Sequence, residues 1–238
     1  MNIKYAGNAD DMFKFDLITH LAGAMRYSGI TYIPMPTQAI CSGKRKTTKN
    51  MRGTDNLKLS QALQNIRGFP SYFDNLRNYF KLHHEIAFQI HKPDAYISKT
   101  SDLANYFDEL AGIAVNERLV FADPDSGLEP QKRTIKHLSY YEVCQIIAQI
   151  NKNSVFMIYQ RSPRDAKLEY LYGPNPRCKQ IHNRAAPQEV RTCWIRYQST
   201  KTHFIFCAKN KKTAGKVREV LQQYTAKHKG LKFYVQDL

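Results

Sequence analysis

The feature that most constrains the fold of this chain is a strand, helix, strand succession in its second half. The apolar runs 119–122 and 154–160 are typical of buried strands, and the segment 139–150 between them carries apolar residues at helical spacing. A strand, a crossover helix and a second strand form a βαβ unit, whose two strands run parallel. The sequence therefore predicts an α/β protein built on a parallel sheet.

The rest of the chain continues this alternation. Helices are predicted over residues 10–27, 57–66, 71–82, 102–111 and 213–227, and further strands over 30–33, 86–90 and 231–235. Residues 190–197 and 202–208 are predicted to form an antiparallel hairpin, whose first strand has one exposed face. Residues 173–187 are rich in Pro, Asn, Arg and Lys, which is typical of a loop or linker.

Length and composition indicate one domain in a cytoplasmic protein. The 238 residues suit a single α/β domain that carries a basic loop and a helical insertion at about 38–85. No apolar run is long enough to cross a bilayer, and the N-terminal segment lacks the apolar core of a secretory signal. The five cysteines are odd in number and scattered, which favours reduced thiols over a disulfide framework.

The net charge of +16 is the strongest indication of a partner. A basic surface of this strength favours nucleic acid, and no basic amphipathic helix favours a membrane surface instead. Between Gly43 and Gly53 lies a loop with almost no apolar residues, and we expect its cations to hold the backbone of RNA or DNA. An ordinary solvated loop has the same composition. The cations are Lys44, Arg45, Lys46, Lys49 and Arg52.

An acidic turn follows the first strand of the βαβ unit. The strand over 119–122 ends at Asp123, Pro124 and Asp125, because proline cannot donate to a sheet ladder and the glycine at 127 relaxes the backbone. The two carboxylates therefore lie at the carboxyl end of a predicted central strand, which is where open α/β sheets bind ligands. Ordinary turn chemistry is the alternative explanation for this composition.

Two separated segments resemble a known enzyme family. Ala6-Gly7-Asn8, followed by Asp11 and Lys14, matches the spacing of an Ala-Gly-Asn-His-Ala-Asp-x-x-Lys motif, and Asp123-Pro124 takes the place of an Asp-Pro-Pro-Tyr motif. Over roughly the first two thirds of the chain, this pattern resembles the class I S-adenosylmethionine-dependent methyltransferases, and most closely the bacterial 23S ribosomal-RNA adenine methyltransferases. The chain departs from that family at Ser126, where the motif has tyrosine, and after residue 33, where it has no Gly-rich loop.

The resemblance implies a three-layer Rossmann-like sandwich, with a mostly parallel sheet and a C-terminal antiparallel hairpin. It also implies S-adenosylmethionine as cofactor and methyl transfer to an adenine amino group of RNA or DNA. The acidic turn would orient the target amino group, and the N-terminal motif would shape the cofactor or target pocket. The implied catalytic residues are Asp123, Pro124 and Asp125, and the implied cofactor-binding residues are Gly7, Asn8, Asp11 and Lys14.

Two alternatives stay open at the level of sequence. Asp123, Asp125 and Glu129 form an acidic cluster that suits Mg²⁺ and would make the chain a metal-dependent nuclease. A non-catalytic nucleic-acid-binding protein on a degenerate methyltransferase fold is the other, because a fold does not by itself secure a function. Affinity for the cofactor, for divalent metal or for neither distinguishes the three hypotheses.

Overall fold

The chain folds as alternating helices and strands. The computed structural model describes residues 6–37, 56–64, 66, 68–108, 110, 115–162, 173–186, 189–197, 202–228 and 231–235. The described helices are α1 (Ala9–Met25), α2 (Leu57–Ala62), α3 (Phe69–His84), α4 (Asp102–Phe107), α5 (Tyr140–Gln149), α6 (Pro174–Arg184) and α7 (Lys211–Lys227). The described strands are β1 (Gly29–Ile33), β2 (Ala87–Ile90), β3 (Leu119–Ala122), β4 (Gly127–Leu128), β5 (His137–Leu138), β6 (Val155–Arg161), β7 (Arg191–Tyr197), β8 (Thr202–Ala208) and β9 (Leu231–Val235).

A seven-stranded sheet in the order β2-β1-β3-β6-β8-β7-β9 forms the centre of the fold. Strands β2, β1, β3 and β6 run parallel to one another, as the predicted crossover through α5 requires. Strand β8 is antiparallel to both β6 and β7, and β9 is antiparallel to β7. The predicted mostly parallel sheet with a C-terminal antiparallel hairpin is therefore confirmed.

The strand order reverses direction at β1. The chain first places β2 on one side of β1 and then returns to place β3 on the other side. The crossovers leave β1 in opposite directions, so a crevice opens at the carboxyl ends of β1 and β3. The residues that follow Ile33 and Ala122 therefore lie at the position where open α/β sheets bind ligands.

Helices cover both faces of the sheet, which gives three layers. Because side chains alternate along a strand, Tyr32 and Phe121 belong to one core, which α1, α2, α3 and α7 cover. Ile33 and Ala122 belong to a second core, which α4, α5 and α6 cover. The aromatic stripe of α3 lies in the first core, as its spacing predicts. The fold is a Rossmann-like α/β sandwich.

Local sequence explains where the helices that frame the crevice begin. Helix α1 starts at the Asn8 cap, whose side chain accepts a hydrogen bond from the Asp11 backbone N–H at 3.0 Å. Helix α5 starts at a capping box, in which Ser139 and Glu142 each bond to the other's backbone N–H. These caps satisfy amides that helix geometry leaves without partners.

Two predictions for the C-terminal third are wrong. The predicted loop over 173–187 contains helix α6, whose first turn accommodates Pro174 and Pro176 because amides there need no intrahelical partner. Only a few side chains of α6, such as Cys178 and Ile181, are buried. Its sequence therefore has too few regularly spaced apolar residues to predict a helix. Strand β7 has no fully exposed face, because it lies between β8 and β9 with helices on both sides.

Three further predictions concern the environment of the chain. Within the described ranges, no helix is both long and apolar enough to span a bilayer. The thiols of Cys144, Cys178, Cys193 and Cys207 are free. The predicted basic loop, with Lys44, Arg45, Lys46, Lys49 and Arg52, lies outside the described residues.

We predict opposite effects of alanine at two glycines. Gly127 has φ of +100°, and a Cβ there would lie 2.6 Å from the Gln160 side chain, so Gly127→Ala should lower the free energy of unfolding by about 1–3 kcal/mol. Gly23 lies in α1 with nothing within 4 Å of an added Cβ, so Gly23→Ala should raise it by about 0.5–1 kcal/mol. Urea denaturation measures both, and equal effects would contradict the prediction.

Candidate functional site

A cleft of about 150 Å³ opens at the crevice between the carboxyl ends of β1 and β3. The N-terminal end of α1, the acidic turn after β3 and the end of β6 form its walls. Nearly all of the predicted site residues that the structure describes line it or bond to a residue that does. The lining residues are Ala6, Asn8, Asp10, Asp11, Lys14, Asp123, Pro124, Asp125, Tyr159 and Arg161.

A buried ion-pair network forms the floor of the cleft. The Lys14 ammonium donates to Asp11 Oδ1 at 2.8 Å and to Asp123 Oδ2 at 2.7 Å. Lys14 and Asp123 are 109 residues apart in sequence, and their side chains are 5% and 3% exposed. The ion pair therefore joins the two segments that carry the predicted motifs.

Two tyrosines, which the sequence analysis assigned only to a strand and to the core, complete this network. The Tyr32 hydroxyl, one residue before the end of β1, donates to Asp123 Oδ2 at 2.7 Å. The Tyr72 hydroxyl, on α3, donates to Asp11 Oδ2 at 3.1 Å. The signal that could have found them is general: a tyrosine on a buried face needs a partner for its hydroxyl.

The Gly7-Asn8 segment holds Asp11 in place. The Gly7 backbone N–H donates to Asp11 Oδ2 at 2.8 Å. Gly7 has φ of +76°, and an added Cβ would lie 2.5 Å from the Leu63 carbonyl oxygen, so only glycine fits there without a shift of the backbone. The residues that the resemblance assigns to a cofactor pocket are thus engaged in supporting the floor of the cleft.

Burial and charge set the protonation of the network. Burial alone would lower the pKa of Lys14, but the carboxylates of Asp11 and Asp123 raise it far above its ordinary value, so the ammonium is retained. Burial raises the pKa of Asp123, and the Lys14 ammonium opposes that shift. Burial, reinforced by the same carboxylates, raises the pKa of Tyr32 and Tyr72, which stay neutral donors.

The two hydrogen bonds that described residues donate to Asp123 use the same carboxylate oxygen. Both hydrogen bonds to Asp123 reach Oδ2, and among the described residues no donor reaches Oδ1. With both carboxylates ionised, Asp11, Asp123 and Lys14 together carry one net negative charge. The floor therefore suits a ligand that donates a hydrogen bond, and it does not suit a phosphate.

The acidic turn is fixed by contacts on its far side. The Ser126 N–H donates to the Lys136 carbonyl at 2.9 Å, and the Leu128 N–H donates to Gln160 Oε1 at 2.8 Å. An ion pair joins Asp125 Oδ2 to Lys136 Nζ at 3.9 Å. Pro124 and Asp125 consequently line the cleft on a rigid turn, next to Asp123.

The acidic cluster does not form a metal site in the described part of the chain. Glu129 Oε1 accepts a hydrogen bond from the Tyr140 backbone N–H at 2.9 Å, so this carboxylate serves the start of α5. In the ranges described, no three His, Cys, Asp or Glu side chains form a group that could hold a metal ion. The predicted metal-binding group of Asp123, Asp125 and Glu129 is therefore not formed among the described residues.

Tyr159 and Arg161 line the cleft, and the sequence analysis did not assign them to the site. Both lie at the carboxyl end of β6, the strand that pairs with β3, so sheet order brings them beside Asp123. The Tyr159 ring centroid lies 5.3 Å from Lys14 Nζ. Burial, with the charge of Asp10 adding to it, raises the pKa of Tyr159 to about 12.

The segment after β1 does not form a cofactor pocket. S-adenosylmethionine needs close backbone approach there, but Pro34, Met35 and Pro36 are all buried. The Met35 N–H donates to the Tyr106 hydroxyl at 3.2 Å, and the Pro36 carbonyl accepts from the Ile97 N–H at 2.7 Å. A cleft of about 150 Å³ is also below the ~300 Å³ minimum usual for such ligands. The described residues therefore do not fit this cofactor.

A serine and a histidine form a second buried polar pair, at the hairpin. Ser162 Oγ lies 2.9 Å from His203 Nδ1, and His203 is fully buried. Burial lowers the pKa of His203 to about 3, which makes it a weak base, and among the described residues no carboxylate is bonded to it. The pair therefore lacks the parts of a nucleophilic triad.

Comparisons with known proteins add little to this geometry. No protein-family model matches the chain. No curated protein matches it either. Among solved structures, a Legionella pneumophila protein described as family DUF519 is similar over 98% of each chain, with 12% sequence identity and a TM-score of 0.45. Similarity at that level supports no inference, so the fold assignment rests on the sheet and its layers.

We predict that Lys14 stabilises the fold through the two carboxylates. Lys14→Met leaves Asp11 and Asp123 buried without their cation, which should lower the free energy of unfolding by about 3–5 kcal/mol. Arg77→Met is the matched control, because the Arg77–Asp74 pair is exposed and should be worth at most about 1 kcal/mol. Adding Asp123→Asn to Lys14→Met should restore part of the loss. A loss below about 1 kcal/mol for Lys14→Met would contradict the prediction.

We predict acid sensitivity from His203. Its folded-state pKa of about 3 lies below the unfolded value of 6.5, so the unfolded state binds more protons below pH 6.5 and stability falls as the pH drops. Between pH 6.5 and 5 the loss should be about 2 kcal/mol. Denaturation of His203→Gln should show a correspondingly flatter pH profile, and exposed His83→Gln should not. An unchanged profile for His203→Gln would mean that the folded protein accommodates the charged imidazole.

Proposed function

We propose that the Asp123 cleft binds an exocyclic amino group of a nucleic-acid base, with the adenine amino group foremost, in a nucleic-acid-modifying enzyme of the methyltransferase type. The observation that carries the proposal is that Asp123 lines the cleft while the described residues bond only to its Oδ2. Lys14 and Tyr32 hold the carboxylate through that oxygen. An amino group would donate to Oδ1, which no described residue reaches.

The size and walls of the cleft also favour a base. A cavity of about 150 Å³ is the size that accepts a single aromatic ring. Enzymes that act on a base take it out of the stack, hold its polar edge by hydrogen bonds and stack its face on an aromatic side chain. Tyr159 is the aromatic side chain that lines the cleft, and we assign the stacking role to it in place of the tyrosine that Ser126 replaces in the motif.

Methyl transfer is the reaction that the resemblance implies, with S-adenosylmethionine as the methyl donor. The described residues do not hold that cofactor, so the roles proposed here are limited to residues that contact the target base. Asp123 accepts from the amino group, Lys14 and Tyr32 orient the carboxylate, and Tyr159 stacks on the base. Pro124 and Asp125 shape the wall next to it.

A nucleic-acid-binding protein without catalysis is the second candidate. The buried Pro34-Met35-Pro36 segment favours it, because this segment occupies the position where the protein backbone would contact the cofactor. Both candidates share base recognition by Asp123 and Tyr159. They differ in one measurement, the binding of S-adenosylmethionine by the full chain, which isothermal titration reports directly.

We predict that base recognition depends on Tyr159 and Asp123. Tyr159→Leu should weaken binding of an adenine-containing RNA or DNA oligonucleotide by about 1–3 kcal/mol, because it removes the stacking face. Tyr141→Leu, at an exposed tyrosine of α5, is the matched control and should change nothing. Wild type should prefer adenine over purine, which lacks the amino group, at the same position. Lys14→Met/Asp123→Leu, which removes both charges together, should abolish that preference.

Fluorescence anisotropy with the adenine and purine oligonucleotides measures these affinities, and circular dichroism checks the fold of each variant. Equal affinity of the wild-type protein for the two oligonucleotides would overturn the proposal that Asp123 reads an amino group. Equal losses in Tyr159→Leu and Tyr141→Leu would overturn the stacking role.

A further inference from the structure

A second and larger cleft lies at the opposite end of the sheet. Its volume is about 600 Å³, and it opens between the C-terminal end of α1, the turn before β6 and the start of α7. These segments meet at the amino ends of the parallel strands, so the second cleft is remote from Asp123 along the strand direction. None of the residues assigned above to the first cleft lines it.

The charges around this second cleft are almost all positive. Arg26, Lys152, Lys212 and Lys216 line it, and all four are exposed to solvent. In the described part of the chain, none of these four cations forms an ion pair. One carboxylate, that of Glu117, lines the cleft as well, and its Oε1 accepts a hydrogen bond from Asn153 Nδ2 at 3.3 Å. The net positive charge favours an anionic ligand.

Hydrogen bonds hold the backbone that carries these cations. The Tyr27 hydroxyl donates to the Asn153 carbonyl at 2.6 Å, which joins the end of α1 to the turn before β6. Thr213 Oγ1 donates to the Lys152 carbonyl at 2.7 Å, and Asn210 donates to the same oxygen, which joins that turn to α7. Three segments that are distant in sequence are therefore held around one cavity.

The first turn of α7, at this second cleft, carries charges that the helix dipole disfavours. The helix has 17 residues and begins at Lys211, and its first turn contains no acidic residue. Lys211 and Lys212 lie where exposed amides already concentrate positive charge, so each cation there is unfavourable for the isolated helix. A local conflict of this kind is typical of a functional site, and a bound anion would remove it.

We propose that this second cleft binds the sugar-phosphate backbone of the nucleic acid whose base enters the first cleft. This proposal rests on the proposed function for the identity of the ligand. Each cleft then recognises a different chemical part of the nucleic acid. The first has a net negative floor that accepts a donor from a base, and the second has cations and a helix N-terminus that accept phosphates.

The separation of the clefts sets the class of substrate. Helix α1 runs from Asp11 at the first cleft to Arg26 at the second, and at about 1.5 Å per residue this distance is roughly 20 Å. A nucleic-acid strand advances about 3.4 Å per nucleotide, so a substrate must extend about six nucleotides from its target base to reach both. The substrate is therefore a polynucleotide segment, and a mononucleotide cannot occupy both clefts.

The test compares two triple variants of the full chain with equal loss of charge. Lys152→Gln/Lys212→Gln/Lys216→Gln neutralises the second cleft, and Lys81→Gln/Lys99→Gln/Lys179→Gln neutralises three exposed lysines outside it. Anisotropy with a 24-nucleotide RNA, from 50 to 300 mM KCl, gives the slope of log affinity against log salt. At about 0.7 per phosphate contact, the first variant should lose about 2 from the slope and at least tenfold in affinity, and the second should lose little.

Length dependence gives a second readout. With adenosine, which carries no phosphate and is too short to reach the second cleft, the two variants should bind alike. Equal loss in both variants with the long RNA would overturn the proposal, because it would show general attraction to a basic surface. A failure of the proposed function is distinguishable, since it would abolish the preference for adenine over purine while the difference in salt slope between the variants persists.

Discussion

The buried ammonium of Lys14 is the interaction on which the rest of this site depends. It joins α1 to the end of β3 by contacting Asp11 on its own helix and Asp123, which lies 109 residues away in sequence. Tyr32 and Tyr72 add hydrogen bonds from β1 and α3, so four elements meet at one buried polar cluster. Removing charges from water is unfavourable unless every member finds its partner, which makes the network sensitive to any single loss. Within the described residues, both hydrogen bonds to Asp123 use the same carboxylate oxygen.

Charge is distributed unevenly over this basic protein. The cleft at the carboxyl ends of the strands has a net negative floor, although the chain as a whole carries +16. The cleft at the amino ends is lined mainly by cations. Helix α1 contributes residues to both, through Asp11 and Lys14 near its start and Arg26 at its end. A single rigid helix therefore sets the distance between a donor-binding site and an anion-binding site.

The motif residues have a structural role that the resemblance does not imply. Gly7 and Asn8 each form a hydrogen bond with Asp11, and Asp11 accepts from Lys14, which also contacts Asp123. After β1, the Met35 N–H donates to the Tyr106 hydroxyl, and Met35 is fully buried. The chain thus has the crevice of a Rossmann-like sheet, with a buried polar network that includes Asp123 beside it. Methyl transfer needs a cofactor position that the described residues do not build.

The sequence by itself determined most of the secondary structure and the position of the acidic turn, because apolar period and turn residues report local backbone preference. It also predicted the parallel βαβ unit, since a crossover helix leaves few topologies. Tertiary structure decided the rest. Helix α6 has few buried apolar side chains, so its sequence lacks the regular apolar spacing from which a helix is predicted. Tyr32, Tyr72 and Tyr159 became site residues only through the order of the strands and the docking of α1 and α3. Their hydroxyl partners and neighbours lie far away in sequence, and no local pattern records which distant groups packing will bring together.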